Sequence, residues 1–255
     1  MGRAIILMYH IVDTPRSEAE ARYAITPERF SEHMGLIHNQ NMPVIALGAL
    51  PDWLAKHHDQ TALVITLDDG TEDAYSQAFR ILTEHGFPAS FFVLPGLMGG
   101  ENGWMQAEGF PARKMLSWEQ AREMAAGGMD MGCHSMSHAK MATLSGADLL
   151  RETVEARDIL EQQLGESVKH FAYPYGNFSD AVCDAVRNAG FAQGLSVRAG
   201  FNERDVNPFI LRRVEVYGRD ENWQLTQKLT YANATATRTY PMRYYLNRLT
   251  GGRLG

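Results

Sequence analysis

Cysteine is scarce in this chain of 255 residues: only Cys133 and Cys183 occur, too few for a disulfide scaffold. Their number leaves open whether they are free or paired, and free thiols in a reducing compartment are the simpler reading. Long apolar runs are missing too. Nowhere do eighteen apolar residues follow one another, so no segment reads as a membrane-spanning helix. Positive charge is in deficit, with 24 Lys and Arg against 30 Asp and Glu and a net charge of −6. Without a basic face or a long Lys/Arg run there is nothing to neutralise a phosphate backbone, which argues against a nucleic-acid partner. Neither an internal repeat nor a low-complexity segment is present. The opening Met1-Gly2-Arg3 and the short apolar run ending at Tyr9-His10 lack the length of a signal-peptide core. The expectation is a cytoplasmic protein or one peripheral at the inner membrane face, which a removed signal peptide would overturn.

What is present suits an enzyme-sized domain. Hydrophobic residues make up 45% and charged residues 21%, enough for a large buried core. Residues 1–255 are expected to form one domain, with 231–255 a C-terminal helical extension. Short β-forming runs alternate with longer amphipathic stretches. The strand candidates are Ala4–Met8, Ala62–Leu67, Ala89–Leu94, Met129–Cys133, His170–Tyr173, Ala192–Ser196 and Leu211–Val216. Helical patterns fall near Pro27–Asn39, Asp73–His85, Ser117–Ala126, Gly146–Leu164 and Ser179–Asn188, several opening at Ser, Asp or Pro and closing at Gly. Gly96–Arg113, rich in Gly and Met, reads as an excursion loop.

Seven strands with intervening helices predict an α/β fold, a distorted (β/α)7 barrel, with an open doubly wound sheet as the alternative. The barrel is favoured by where polar residues fall. His10 follows the first strand, Asp68 and Asp69 the second, His134 the fourth, and Tyr173 and Tyr175 the fifth, on the rim where barrel enzymes carry their chemistry.

Thr66-Leu67-Asp68-Asp69-Gly70 and His134-Ser135-Met136-Ser137-His138 gain meaning only together. Asp-Gly alone is a turn signal. A His-x-x-x-His pair alone is a packing pattern of helices. A carboxylate and two imidazoles at strand ends, however, are the donor set of catalytic zinc and of non-haem iron sites that keep a position open for water.

These motifs, with Phe171-Ala172-Tyr173-Pro174-Tyr175-Gly176, resemble the polysaccharide deacetylases of carbohydrate esterase family 4, which share the NodB homology domain. The resemblance runs roughly from Ile5 to Trp223. It implies a metal-dependent N-deacetylase acting on an N-acetylated amino sugar in a polysaccharide, oligosaccharide or glycolipid. Asp68 is then the general base, and Asp69, His134 and His138 hold a divalent metal, Zn2+ first, with Co2+ or Ni2+ as alternatives. The backbone N–H of Tyr175 serves the oxyanion, with Pro174 and Tyr173 beside it in the substrate and oxyanion loop. An amide is a poor electrophile, and a divalent metal lowers the pKa of a water from about 15.7 toward 7. Two adjacent aspartates ionise together only if a cation offsets their repulsion.

Two family features are missing. No histidine follows His170, although the family takes its general acid from a late Leu-x-His motif, and Ala172 stands where an arginine usually opens the third motif. Met8-Tyr9-His10-Ile11-Val12 resembles the opening of the subgroup that deacetylates poly-β-1,6-N-acetylglucosamine, whose domain looks circularly permuted. First and last strands of a barrel are neighbours, so His10 can take the acid's place. An imidazole, with an ordinary pKa of about 6.5, suits protonation of a leaving amine. Leu211-Arg212-Arg213-Val214 offers a replacement arginine. Alternation lets only one of Arg212 and Arg213 enter the barrel, and resemblance to the subgroup favours Arg213. A catalytically impaired carbohydrate-binding relative, or a deformylase of a lipid-linked amino sugar, are the alternative functions.

Cys133 neighbours a ligand candidate, but a small core residue is its simpler role. Trp104, Trp118 and Trp223 are candidates for stacking on a sugar, against the commoner role of aromatics in the core. The tail from Tyr231 to Gly255, with Arg238, Arg243, Tyr244, Tyr245, Leu246, Arg248 and Leu249, mixes aromatics and cations. It suits either peripheral membrane contact or a plain helix capping the barrel.

Overall fold

The computed structural model describes residues 2–56, 60–242 and 244. Its strands are β1 (Arg3–Tyr9), β2 (Ile11–Val12), β3 (Ala24–Ile25), β4 (Thr61–Leu67), β5 (Ser90–Val93), β6 (Asp130–Cys133), β7 (His170–Ala172), β8 (Gln193–Leu195) and β9 (Val214–Glu215). The α-helices are α1 (Pro27–Asn39), α2 (Leu50–Ala55), α3 (Arg80–His85), α4 (Gly103–Ala107), α5 (Trp118–Ala126), α6 (Gly146–Leu150), α7 (Ala156–Leu164), α8 (Asp180–Asn188) and α9 (Asn222–Tyr231). Local chemistry sets several boundaries. Thr26, Ser117 and Ser179 each accept a backbone N–H at the start of α1, α5 and α8, and α1 opens on Pro27, which has no N–H to leave unpaired.

Seven strands lie in the order β8-β7-β6-β5-β4-β1-β9, every neighbouring pair parallel, and β2 pairs with β3 in a separate short ladder. The segment from Leu211 to Val216 brings the ends of the sheet together. Leu211 N donates to Gly194 O at 2.9 Å and Ser196 N to Leu211 O at 2.8 Å, whereas Val216 N donates to Met8 O at 2.9 Å. A segment that begins on β8 and ends on β1 gives a distorted (β/α)7 barrel rather than an open sheet with two free edges. Changing partner midway is also why β9 is only two residues long where a six-residue strand is expected from sequence.

Period-two alternation sorts the strands into two apolar layers. Ile5, Leu7, Tyr9, Leu63, Ile65, Leu67, Phe91 and Val93 face the helices. Ala4, Ile6, Ala62, Val64, Phe92, Ala172, Leu195 and Leu211 fill the barrel, with Leu47, Leu50 and Leu54 packed into the same cluster. The filling is tight: a Cβ on Gly132 would lie 2.5 Å from the ring of Phe92.

A buried polar chain ties α1 and α9 to the barrel wall. His33 Nε2 donates to the Asp220 carbonyl at 3.1 Å, so the Tyr9 hydroxyl donates to His33 Nδ1 at 3.3 Å, and Lys228 pairs with the Asp220 carboxylate. Beyond α9, the rings of Tyr231, Tyr240 and Tyr244 pack on one another. Arg243 and residues 245–255 of the expected tail lie outside the described residues. No helix among the described residues is long and apolar enough to cross a membrane.

Candidate active site

The alternation that fills the barrel continues past the strand ends and decides what faces the cleft. Ala62, Val64 and Phe92 point inward, and the same parity carries Asp68 and His134 to the mouth, as Ala4 and Ile6 carry His10. Leu211 is inside and Val214 outside, so Arg213 enters the barrel and Arg212 does not. Arg213 is fully buried, and its Nη1 and Nη2 donate to Asp68 Oδ1 and Oδ2 at 2.7 and 2.8 Å. Its Nε donates to the Ser196 carbonyl at 3.0 Å. Such a paired fork fixes the carboxylate's plane as well as its charge.

Asp69 has the wrong parity and reaches the site by another route. Its backbone is left-handed, with φ 74°, and Gly70 follows at φ 67°. Six non-glycine residues among those described have positive φ, and four of them, Asp69, Ser135, His138 and Tyr175, belong to the three motifs. Each such conformation costs of the order of 1–3 kcal/mol and persists only where surrounding contacts enforce it. Glu152 is one enforcer. Buried in a π-helical turn, Arg151–Glu155, between α6 and α7, it accepts from Met136 N, Ser137 N and Ser137 Oγ at 2.9, 3.0 and 2.7 Å.

His134 Nε2 and His138 Nε2 lie 3.5 and 3.3 Å from Asp69 Oδ1. His134 Nδ1 donates to the Ala172 carbonyl at 2.8 Å, which leaves Nε2 with its lone pair free. Asp69 Oδ1 is buried yet accepts no hydrogen bond. A buried acceptor left bare opposite two imidazoles fits a divalent cation, and Asp69, His134 and His138 are the one such group among the described residues. Cys133 stays apart from it, buried in the core with its thiol pushed up by burial.

Burial by itself pushes the Asp68 carboxyl up, but Arg213 foremost, with His134 and His10, holds it below the ordinary carboxylate value. Burial also works against the Asp69 charge, and His134 and His138 hold it well below that value. For His138 burial prevails and the imidazole titrates below its ordinary range. For His134 burial is outweighed by Asp68 and Asp69, which raise it. In acid a proton therefore competes for the position a cation would take.

The cleft over these groups has a volume of about 280 Å³ and is lined by His10, Asp68, Asp69, Trp104, Glu108, His134, His138 and Tyr175, among others. His10 stands edge-on to Tyr23 with ring centroids 5.3 Å apart, and its Nδ1 is buried without a partner. Tyr175 donates its hydroxyl to Glu108 at 2.9 Å. Tyr173 is buried and helps to line the cleft, with its hydroxyl donating to the Phe209 carbonyl at 3.0 Å. Pro174 is buried beside it. Of the three tryptophans weighed as sugar platforms, Trp104 lines the cleft, whereas Trp118 packs on the core and Trp223 lies exposed on α9. Tyr23, Glu108, Glu215 and Arg22 also line the cleft without standing in any motif, and only their place in space finds them.

Comparison with known proteins agrees with this geometry. The family model for polysaccharide deacetylase matches residues 55–194. The chain belongs to the polysaccharide deacetylase family. That match contains Asp68, Asp69, His134, His138 and Tyr175, whereas His10 and Arg213 lie outside it on either side. Among similar deacetylase sequences, the Bacillus subtilis protein YxkH is 23% identical over 213 residues, 83% of this chain and 70% of that protein. The poly-β-1,6-N-acetyl-D-glucosamine N-deacetylase of Staphylococcus aureus (strain MRSA252) is 26% identical over 159 residues, 59% of this chain, and the match spans about half, 52%, of that protein. In structure the deacetylase chain is similar to IcaB from Ammonifex degensii, with a TM-score of 0.75 and 26% identity over 91% of this chain and 97% of that one. It shares its fold with Streptococcus pyogenes deacetylase PplD, with a TM-score of 0.76 and 21% identity over 89% of this chain and 98% of that one.

Proposed function

We propose that this chain is a divalent-metal-dependent hydrolase that removes the acetyl group from an N-acetylated amino sugar in a glycan, with zinc as its ion and cobalt or nickel able to substitute. The observation that carries the reading is the division of labour between adjacent aspartates. Asp68 is committed to Arg213 by both oxygens, while Asp69 keeps a bare oxygen toward His134 and His138. A poly-β-1,6-N-acetylglucosamine is the first substrate to test, by similarity to the relatives above.

When bound, the cation polarises the amide carbonyl and lowers the pKa of a water from about 15.7 toward 7. The residues of the chain do the rest. Asp68, held ionised and in plane by Arg213, takes the proton as the water oxygen attacks the carbonyl carbon. The Tyr175 N–H donates to the oxygen on which charge develops. His10 gives a proton to the amine as the C–N bond breaks, leaving acetate and a free amino sugar. The absence of an arginine and a histidine from the usual motifs suggests a non-catalytic binding relative, but His10 lines the cleft and the buried Arg213 grips Asp68, which supports the enzyme.

The test is a panel of chito-oligosaccharides, β-1,6-linked oligomers and lipid-linked amino sugars, the last suited to the aromatic and basic tail of 231–255. Acetate and free amine should appear mole for mole, cease with Asp68→Asn, and give way to formate only if an N-formyl sugar is the better substrate. Stoichiometric metal binding with no turnover of any member, in wild type and Asp68→Asn alike, would leave only the binding role.

A further inference from the structure

The two histidines facing Asp69 are held by different means. His134 is fixed by its hydrogen bond to the Ala172 carbonyl. His138 has a backbone at φ 63° and a buried Nδ1 without a partner. A ligating histidine ordinarily donates that second N–H to a carboxylate, carbonyl or water, and the donation sets its orientation. Nothing of the kind among the described residues holds His138. Besides His134, whose ring meets it edge-on at 4.9 Å, two further rings pack on it. Trp104 stacks on it with centroids 4.9 Å apart and 24° between planes, and Tyr175 meets it edge-on at 4.4 Å and 72°.

Both walls lead back to one short helix. Trp104 is in the first turn of α4, and Glu108, the C-cap residue of that helix, accepts the Tyr175 hydroxyl at 2.9 Å. Residues four apart share a helical face, so α4 contacts one wall directly and fastens the other. The excursion that carries α4 is itself anchored. Asn102 N donates to Arg113 O at 3.0 Å, Arg113 N donates to Asn102 Oδ1 at 2.7 Å, and Arg113 forms a buried ion pair with Glu20. A mounting of this rigidity can transmit orientation to a ring whose Nδ1 has no partner among the described residues.

We propose that Trp104 and Glu108 are positioning residues for His138, substituting an aromatic clamp for the missing hydrogen bond and presetting the ring for a divalent cation. The inference rests on Asp69, His134 and His138 being a metal site. Stacking on a sugar is the competing role for Trp104, and the two differ in whether metal affinity changes when no substrate is present.

The experiment is zinc binding to the full-length, metal-stripped protein in competition with a chromophoric chelator, without substrate, alongside the visible spectrum of the cobalt form. Wild type should bind one equivalent and Asp69→Ala none; failure of wild type to bind overturns both this inference and the functional reading. Trp104→Ala and Glu108→Ala should each weaken zinc by roughly 10–100-fold and shift the cobalt bands, with the melting of the metal-free proteins unchanged. Glu108→Gln, whose amide oxygen still accepts from Tyr175, should restore affinity. If Trp104→Ala does not fold, Glu108→Ala and Tyr175→Phe carry the test: both break one bond, so the double variant should be no weaker than either. Wild-type zinc affinity in Trp104→Ala and Glu108→Ala, with only a raised KM, would make Trp104 a sugar platform and overturn the proposal.

Discussion

Arg213 and Asp68, 145 residues apart in sequence, meet inside the barrel through two hydrogen bonds of 2.7 and 2.8 Å, with both side chains almost wholly out of water. The pair joins the last strand to the end of β4. It also sets the charge state of the proposed base.

Breaking a buried pair by removing one partner leaves an uncompensated charge and costs about 3–5 kcal/mol. Arg213→Ala should lose that much stability. Because Arg213 is the chief influence holding the Asp68 carboxyl down against burial, its loss raises that pKa. Less Asp68 is then ionised at a given acid pH, and the acid limb of the pH–rate profile should move to higher pH. Arg213→Lys keeps a charge but not the fork, and should fall between. An acid limb unchanged in Arg213→Lys and Arg213→Ala would separate Asp68 from the rate.

His10 and His134 should fail in different ways. His10→Ala removes the proposed proton donor and should lower kcat by about 10²–10⁴-fold, with bound zinc retained. His134→Ala should lose the zinc. Metal analysis of the two purified variants distinguishes them, and zinc missing from His10→Ala would make His10 a ligand.

Stability should fall in mild acid for a reason remote from the cleft. Burial depresses the His33 imidazole from 6.5 to about 4. The unfolded chain then binds a proton that the native state does not, so the contribution is full above about pH 6.5 and is lost as pH falls toward 4. At about 1.4 kcal/mol per pH unit the loss is about 3 kcal/mol across that window. Denaturant melts of wild type and His33→Gln between pH 7 and 4 check it. The variant's stability should vary less with pH, and equal slopes would contradict the assignment.

Much of the architecture is legible in the chain because its strands are β-rich runs with period two and its helices open on Thr26, Ser117 and Ser179. Parity along the strands also points polar residues to the cleft, but it says only that one of Arg212 and Arg213 enters the barrel, and it takes the inward Leu211 and outward Val214 of the fold to make that Arg213. Parity fails where the backbone turns left-handed. Asp69 enters the site against its register because of φ 74°; an Asp before Gly tolerates that turn, but strand parity does not foresee it. Tyr173 follows its parity, its ring packing on Phe171, while the residue still helps to line the cleft. Glu152 sits in a π-helical turn that hydrophobic periodicity does not mark. Glu108 and Tyr23 act through proximity alone, and they reach the cleft from loops that sequence treats as connections.

The most direct test of the account is a titration of chelator-stripped protein with zinc, following acetate released from a β-1,6-linked N-acetylglucosamine oligomer. Acetate release should start near zero, rise linearly and break at one equivalent of zinc, while Asp69→Ala stays silent throughout and Asp68→Asn binds the zinc without releasing acetate. Release that survives stripping, or that persists in Asp68→Asn at full zinc occupancy, would contradict it.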